Sequence, residues 1–202
     1  MAWNFGAEIN ALTGFDGESA SATVTGESFQ THANQFLTDS AKEVIKLLPN
    51  RLLHLCLATP QSFTAGTPDA LTTGKILFVT REQGGVEYPC RKIEPFQKGR
   101  YNEDGDMNKP TNTDPVWWVE NNKIDVLPTN VTVKYHEVQY PTVTYSLTTI
   151  ANFPDEAERA VVIGACIKAV EYLMAHDQDI ELLVPILGQL EKDYQKELSG
   201  LV

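Results

Sequence analysis

The chain has 202 residues, with 16 lysine and arginine residues against 27 aspartate and glutamate residues, which gives a formal net charge of −11. This length suits one hydrophobic core, or one core with a small inserted subdomain. The negative charge argues against binding of nucleic acid through its phosphates, although an acidic surface can face DNA that slides past it.

Residues 1–27 are mostly small and polar. A segment of this composition cannot by itself bury enough apolar surface to offset the entropy lost on ordering. We therefore predict an extended N-terminal arm, either disordered or laid across a neighbouring molecule. The apolar residues that could anchor it are Trp3, Phe5, Ile9, Leu12 and Phe15.

Apolar residues at three- and four-residue spacing predict an amphipathic helix over residues 28–48, either continuous or re-capped near Thr38. Pro49 ends this helix. The following residues, 51–58, fit a second short helix, which we favour, although their leucines also alternate as in a strand.

After a loop over residues 60–75, the pattern becomes that of strands. The predicted strands are residues 75–81, 86–93, 115–120, 123–128 and 130–138. Gly84-Gly85 and Asn121-Asn122 lie between paired strands and predict two tight hairpins, because these residues tolerate a left-handed backbone. Residues 97–114 contain almost no apolar side chains and predict an exposed loop.

The last part of the chain predicts two antiparallel helices. Pro154 and the acidic residues after it form a strong helix start, and residues 160–167 carry no charge, so this helix should be buried on several sides. Residues 180–198 predict an amphipathic helix that is kinked at Pro185. The expected fold class is α+β, with an extended arm (1–27), a helical bundle (28–72 and 140–202) and an inserted antiparallel β subdomain (73–139).

Motifs for catalysis and ligand binding are incomplete in this chain. A Thr-Gly-Lys sequence at 73–75 resembles part of a phosphate-binding loop, but Asp69 replaces the first glycine of that motif. Oxygen side chains at alternate positions from Asn102 resemble the start of a calcium loop, but Met107 replaces its glycine and Thr113 its glutamate. We therefore expect no catalytic residue, no cofactor and no bound metal.

The three cysteines, Cys56, Cys90 and Cys166, are far apart, and the four histidines share no metal-binding spacing with them. The first residues lack the pattern of a secretory signal, and no apolar run approaches the roughly 20 residues that span a bilayer. We expect a protein that folds in a reducing cytoplasm and has no membrane partner.

Trp117 and Trp118 are adjacent in a predicted strand and should point to opposite faces of its sheet. We expect one of them in the core and the other exposed, where it could seat in a partner protein, which we favour, or stack on a sugar. The candidate interface residues are Trp3, Phe5, Phe15, Tyr101, Trp117 and Trp118.

Segments spread over most of residues 1–178 carry a resemblance to a known group of proteins. They are residues 12–16, 36–45, 48–49, 140–143, 150–158 and the Asp-Pro-Val-Trp-Trp-Val-Glu sequence at 114–120. In these segments the chain resembles virion structural proteins of tailed bacteriophages, of the marine cyanophage type, that look like head-to-tail adaptor (neck or connector) proteins.

The resemblance implies a non-enzymatic ring below the portal that joins portal to tail and lines or seals the DNA channel. The implied partners are further copies of the chain (a dodecamer is one such ring), the phage portal protein, tail or nozzle proteins, and passing DNA that is not bound sequence-specifically. The implied location is the neck or tail of the virion, after assembly in the bacterial host cytoplasm. Two alternatives stay open: another neck or tail protein such as a tail terminator, or a glycan-binding β module.

Overall fold

The computed structural model describes residues 4–14, 23–24, 27–73, 75–103, 105, 107–176 and 180–201. These residues form two compact units. The helical unit contains the described residues up to Cys56 and from Tyr140 onward, and the β unit contains those of Leu57–Gln139. The expected α+β class is confirmed.

Helices and strands alternate in blocks along the chain. The described helices are α1 (Phe5–Thr13), α2 (Phe29–Leu47), α3 (Asn50–Leu53), α4 (Lys98–Tyr101), α5 (Asp155–His176) and α6 (Ile180–Leu201). The described strands are β1 (Thr23–Val24), β2 (Glu27–Ser28), β3 (Gln61–Thr64), β4 (Asp69–Ala70), β5 (Ile76–Gln83), β6 (Val86–Pro89), β7 (Arg91–Lys92), β8 (Val116–Glu120), β9 (Lys123–Leu127) and β10 (Thr132–Glu137).

The β insertion begins earlier than predicted, at Leu57 rather than at residue 73. Strands β3 and β4 lie in the segment that was expected to be a loop, and they pair with β10 and β9. Before them, helix α3 and a 3-10 turn at His54–Cys56 confirm the helical alternative for the residues after Pro49. Leu57 then forms an isolated bridge with Val138, which closes the insertion.

Helix α5 forms the core of the helical unit, as predicted. Pro154 lies directly before it, and the acidic residues of its first turn lie at the positive end of the helix dipole. Residues 160–166 are all buried, while Ile167 is half-buried. Because this stretch carries no charge, neighbouring helices can cover it on several sides without trapping an unpaired ion.

Helices α2 and α6 both pack antiparallel to α5. Near the start of α2, His32 Nε2 lies 3.1 Å from the Tyr172 hydroxyl, near the end of α5. Near the start of α5, Arg159 Nε lies 3.1 Å from a carboxylate oxygen of Glu197, near the end of α6. The predicted antiparallel pairing of the last two helices is therefore confirmed.

Three helices meet at Gly164 of α5. A Cβ atom built on this residue would lie 3.2 Å from Ser40 Oγ of α2 and 3.3 Å from Tyr194 Cε2 of α6. Both distances are shorter than ordinary van der Waals contacts. The missing side chain at Gly164 thus sets how closely α2 and α6 approach α5.

Residues 5–13 form helix α1, so the predicted extended arm is wrong for this part of the chain. The Asn4 side chain accepts a hydrogen bond of 2.7 Å from a first-turn backbone N–H, and Gly14 ends the helix with a left-handed φ of 71°. Phe5 and Ile9 lie about one turn apart on the same face, and both are buried within the helical unit.

Helix α1 docks on the extended chain that precedes α5. The backbone N–H of Gly6 donates to the Tyr145 carbonyl at 2.8 Å, and the Tyr145 hydroxyl donates to Asn10 Oδ1 at 2.6 Å. The backbone N–H of Tyr145 in turn donates to Asn34 Oδ1 of α2 at 2.6 Å. A Cβ on Gly6 would overlap the buried Tyr145 ring, so only glycine permits this approach.

Helix α2 is continuous, so the alternative of a re-capped helix near Thr38 is excluded. The Thr38 hydroxyl lies 3.1 Å from the backbone nitrogen and 3.2 Å from the carbonyl oxygen of Val143. The Thr38 hydroxyl therefore binds the backbone of Val143 to α2 and does not cap a new helix.

The β unit contains, among its described residues, two four-stranded sheets that share one core. The strand orders are β3-β10-β5-β6 and β4-β9-β8-β7. Side chains from both sheets form the shared core: Phe63, Val79, Val133 and Tyr135 from one, and Trp117, Ile124 and Val126 from the other. This arrangement is a small sandwich in which each sheet covers the other's apolar face.

Both predicted hairpins are confirmed. Gly84 and Gly85 connect β5 to β6 with φ angles of 61° and 80°, and Asn121 and Asn122 connect β8 to β9 with φ angles of 52° and 58°. Two consecutive left-handed residues are the turn that matches the twist of paired strands.

The expectation of a purely antiparallel β subdomain is wrong at one pair of strands. Strand β7 pairs parallel to β8, with Arg91 opposite Val116 and Lys92 opposite Trp117. The predicted strand over residues 86–93 is divided at Cys90, because β6 belongs to one sheet and β7 to the other.

The Gly164 crossing gives a stability prediction. We expect Gly164→Ala to lower the free energy of unfolding by about 1–3 kcal/mol, because the new methyl group must displace Ser40 or Tyr194. The matched control is Gly188→Ala in α6, where a Cβ meets no atom within 4 Å, and we expect it to stabilise the protein by about 0.5–1 kcal/mol. Urea unfolding curves of both variants measure these changes, and equal effects would contradict the proposed close approach.

Candidate interaction surfaces

The two adjacent tryptophans are both buried, so the expectation that one of them is exposed is wrong. Trp117 has an exposed fraction of 3% and Trp118 of 4%. They do point to opposite faces, since Trp117 lies in the core between the sheets and Trp118 packs with Ile93 and Val116 on the outer face. The segment of α4, with Tyr101 packed against this cluster, covers that outer face.

A pocket of about 440 Å³ lies beside Trp118. Its lining residues are Lys98, Gly99, Asn102, Glu103, Trp118 and Leu127. The apolar side chains come from β8 and β9, and the polar ones from α4 and the turn after it. Lys98 Nζ lies 2.7 Å from Glu120 Oε2, and this ion pair links α4 to the sheet.

The remaining predicted interface residues divide into three cases. Phe5 is buried in the helical unit and is not available to a partner. Tyr101 is half-buried, and the Arg91 guanidinium lies 6.0 Å from the centre of its ring. Trp3 and Phe15 lie outside the described residues.

The helical unit exposes large apolar side chains at the end of α2 and in the 3-10 turn that follows α3. Leu47 is 58% exposed and Leu55 is 54% exposed. Residues 44–56 contain the exposed cations Lys46 and Arg51 and no acidic residue, although the chain as a whole is strongly acidic. We call Lys46, Leu47, Arg51 and Leu55 the α2–α3 corner.

Exposed apolar side chains also surround the first turns of α6, where Leu182 projects to a different side of the helix from Ile180 and Val184. Ile180 is 48% exposed, Leu182 is 71% exposed and Val184 is 51% exposed, and Glu181 is the charged residue among them. We call these four residues the α6 start. The prediction of an amphipathic helix over residues 180–198 did not include these exposed side chains. The run of apolar residues at the beginning of that helix is the sequence signal that indicates them.

Two of the cysteines carry thiols that are not activated as nucleophiles, and the described residues contain no cluster suited to a metal ion. Burial raises the pKa of the Cys90 thiol to about 11 and that of Cys166 to about 12, so both thiols are protonated at neutral pH. The part of the chain that the structure describes has no group of three or more histidine, cysteine, aspartate or glutamate side chains placed to hold a metal ion.

No protein-family model matches the chain, and no curated protein sequence matches it significantly. Among the described helices, none is both long enough and apolar enough to cross a bilayer.

His136 of β10 is a buried titratable side chain in the β unit. Its ring stacks on Phe78 with 4.1 Å between ring centres, and it is 8% exposed. Burial lowers the pKa of His136 below its ordinary value, with a smaller opposing effect from Glu87 and a further lowering from Lys134. The folded protein therefore favours the neutral imidazole.

This burial predicts a pH dependence of stability. Below the unfolded-state pKa of about 6.5, His136 binds a proton in the unfolded chain more readily than in the folded protein. The free energy of unfolding therefore falls as the pH falls. We expect His136→Phe to remove this part of the slope in denaturation curves measured between pH 8 and pH 5. Val79→Ala is the control, because it weakens the same unit but keeps the histidine; an unchanged slope in His136→Phe would contradict the assignment.

Proposed function

We propose that this chain is a non-enzymatic virion structural protein of a tailed bacteriophage, a ring-forming head-to-tail adaptor that joins the portal to the tail. The resemblance of residues 12–16, 36–45, 48–49, 114–120, 140–143 and 150–158 to such proteins supports the proposal. In this role the protein acts in the neck of the virion after assembly in the host cytoplasm, and its partners are further copies, the portal, and tail or nozzle proteins. A tail terminator or another neck protein is the nearest variant of the same proposal.

The observation that carries the proposal is the exposure of apolar side chains on two separate parts of one helical unit. Soluble monomers rarely expose clusters of large apolar residues, and such clusters mark surfaces that bind other proteins. The α2–α3 corner and the α6 start each expose such side chains, between 48% and 71%. A subunit of a ring needs two contact surfaces, one for each neighbour.

The charge of the chain supports a DNA channel as the setting. The formal net charge is −11, which disfavours tight binding to phosphates. A channel through which DNA must pass requires a wall to which DNA does not adhere. An acidic ring satisfies this requirement, and no sequence-specific contact is needed.

We expect the purified protein to form rings, either alone or after addition of the portal protein of the same phage. Negative-stain imaging and light scattering measure this, and a portal protein from an unrelated phage is the control. Because a partner can order an adaptor that is monomeric alone, solution mass without portal is not sufficient. A protein that stays monomeric, ignores its portal and binds glycans would contradict the proposal.

A glycan-binding module is the second candidate, and the pocket beside Trp118 is the observation that favours it. The amide of Asn102, the carboxylate of Glu103 and the ammonium of Lys98 around this pocket can hydrogen-bond the hydroxyls of a sugar, without stacking on the buried Trp118. If this candidate is correct, Asn102→Ala and Glu103→Ala should abolish binding on a glycan array. Thr113→Ala, an exposed position outside the pocket lining, should retain it; absence of binding by the unmodified protein eliminates the candidate.

A further inference from the structure

The two exposed apolar surfaces lie at opposite ends of the helical unit. Arg51 Nη2 of the α2–α3 corner donates a hydrogen bond of 3.1 Å to the carbonyl of Leu201, at the end of α6. The α6 start lies at the other end of the same helix, which has 22 residues. At a rise of about 1.5 Å per residue, the two surfaces are separated by about 30 Å.

The two surfaces carry opposite charge. The α2–α3 corner contributes Lys46 and Arg51, and residues 44–56 contain no acidic residue. The α6 start contributes Glu181, and residues 180–190 contain no lysine or arginine. Each surface thus combines exposed apolar side chains with charge of the sign opposite to that of the other.

We propose that the α6 start of one copy of this chain docks on the α2–α3 corner of the next copy. Because the two surfaces are different, each copy offers one to each neighbour, and successive copies associate head to tail. Such contacts close into a ring when the rotation between neighbours divides a full turn, and otherwise they extend as a filament. This inference rests on the proposed function, since it names the subunit contact of that ring.

A second copy suits these surfaces better than DNA does. Phosphates would meet Lys46 and Arg51 but would leave the side chains of Leu47 and Leu55 in water. A neighbouring copy supplies apolar side chains for both leucines and a carboxylate for the cations. The same neighbour also covers Leu182, the most exposed residue of the α6 start.

Two variants, each with one damaged surface, test the pairing. Leu182→Asp damages the α6 start and Leu55→Asp damages the α2–α3 corner, and both positions are exposed, so the fold should survive. In sedimentation velocity of the full chain, we expect each variant alone to self-associate about tenfold more weakly or worse. Their mixture should recover a complex of two chains, because Leu55→Asp keeps an intact α6 start and Leu182→Asp an intact corner.

Charge reversal provides a second readout that does not depend on apolar packing. We expect Glu181→Lys to weaken self-association, and the double variant Glu181→Lys/Lys46→Glu, in which every contact pairs the two reversed charges, to restore it, with a larger effect at low salt. Leu147→Asp is the matched control, since Leu147 is 38% exposed in the same unit but belongs to neither surface, and it should associate as the unmodified chain does.

The outcomes separate this inference from the proposed function. Rings on the portal that persist in both aspartate variants would overturn the inference and leave the adaptor function intact. Recovery in the mixture without any binding to the portal would support the inference and contradict the adaptor function. Failure of the mixture to associate, or a chain that remains monomeric at about 1 mM, would overturn the head-to-tail contact.

Discussion

The close approach of α2 and α6 to α5 at Gly164 is the constraint on which the helical unit depends. A helix without charge from residue 160 to residue 167 must be covered on several sides, and thin side chains at the crossing allow two helices to cover it at once. Ser40, buried at this crossing, has no hydrogen-bond partner for its hydroxyl among the described residues. The serine side chain is small enough for α2 to approach α5 closely. The free energy gained from this packing offsets the cost of burying one hydroxyl without a partner.

Polar side chains of α1 and α2 fix the chain that returns from the β insertion. Thr38 and Asn34 of α2 bind the backbone at Val143 and Tyr145, and Asn10 of α1 accepts from the Tyr145 hydroxyl. These bonds set the register of the extended segment before α5. They also explain why α1 is helical, since its first turn completes the hydrogen bonds of that segment.

Local patterns predicted most of the elements, and long-range contacts account for the differences. The helices α2, α5 and α6 and both hairpins follow from periodicity and turn residues that lie within each segment. Helix α1 has only two to three turns, and so short a helix is stable only through packing that the sequence does not display. Likewise, the burial of Trp118 depends on a segment centred near Tyr101, and the parallel pairing of β7 with β8 joins residues about 25 positions apart.

The distribution of apolar residues along α6 distinguishes a packing face from a binding face. Seven of its first eight residues are apolar, whereas charged residues recur from Glu191 onward. A neighbouring helix covers one stripe, about 100° wide, and α5 therefore leaves part of an all-round apolar turn in water. The Leu182 side chain lies mostly in water and therefore contributes little apolar burial to the fold. The proposed contact with a second copy would bury the apolar side chains at the beginning of α6 that packing on α5 leaves exposed.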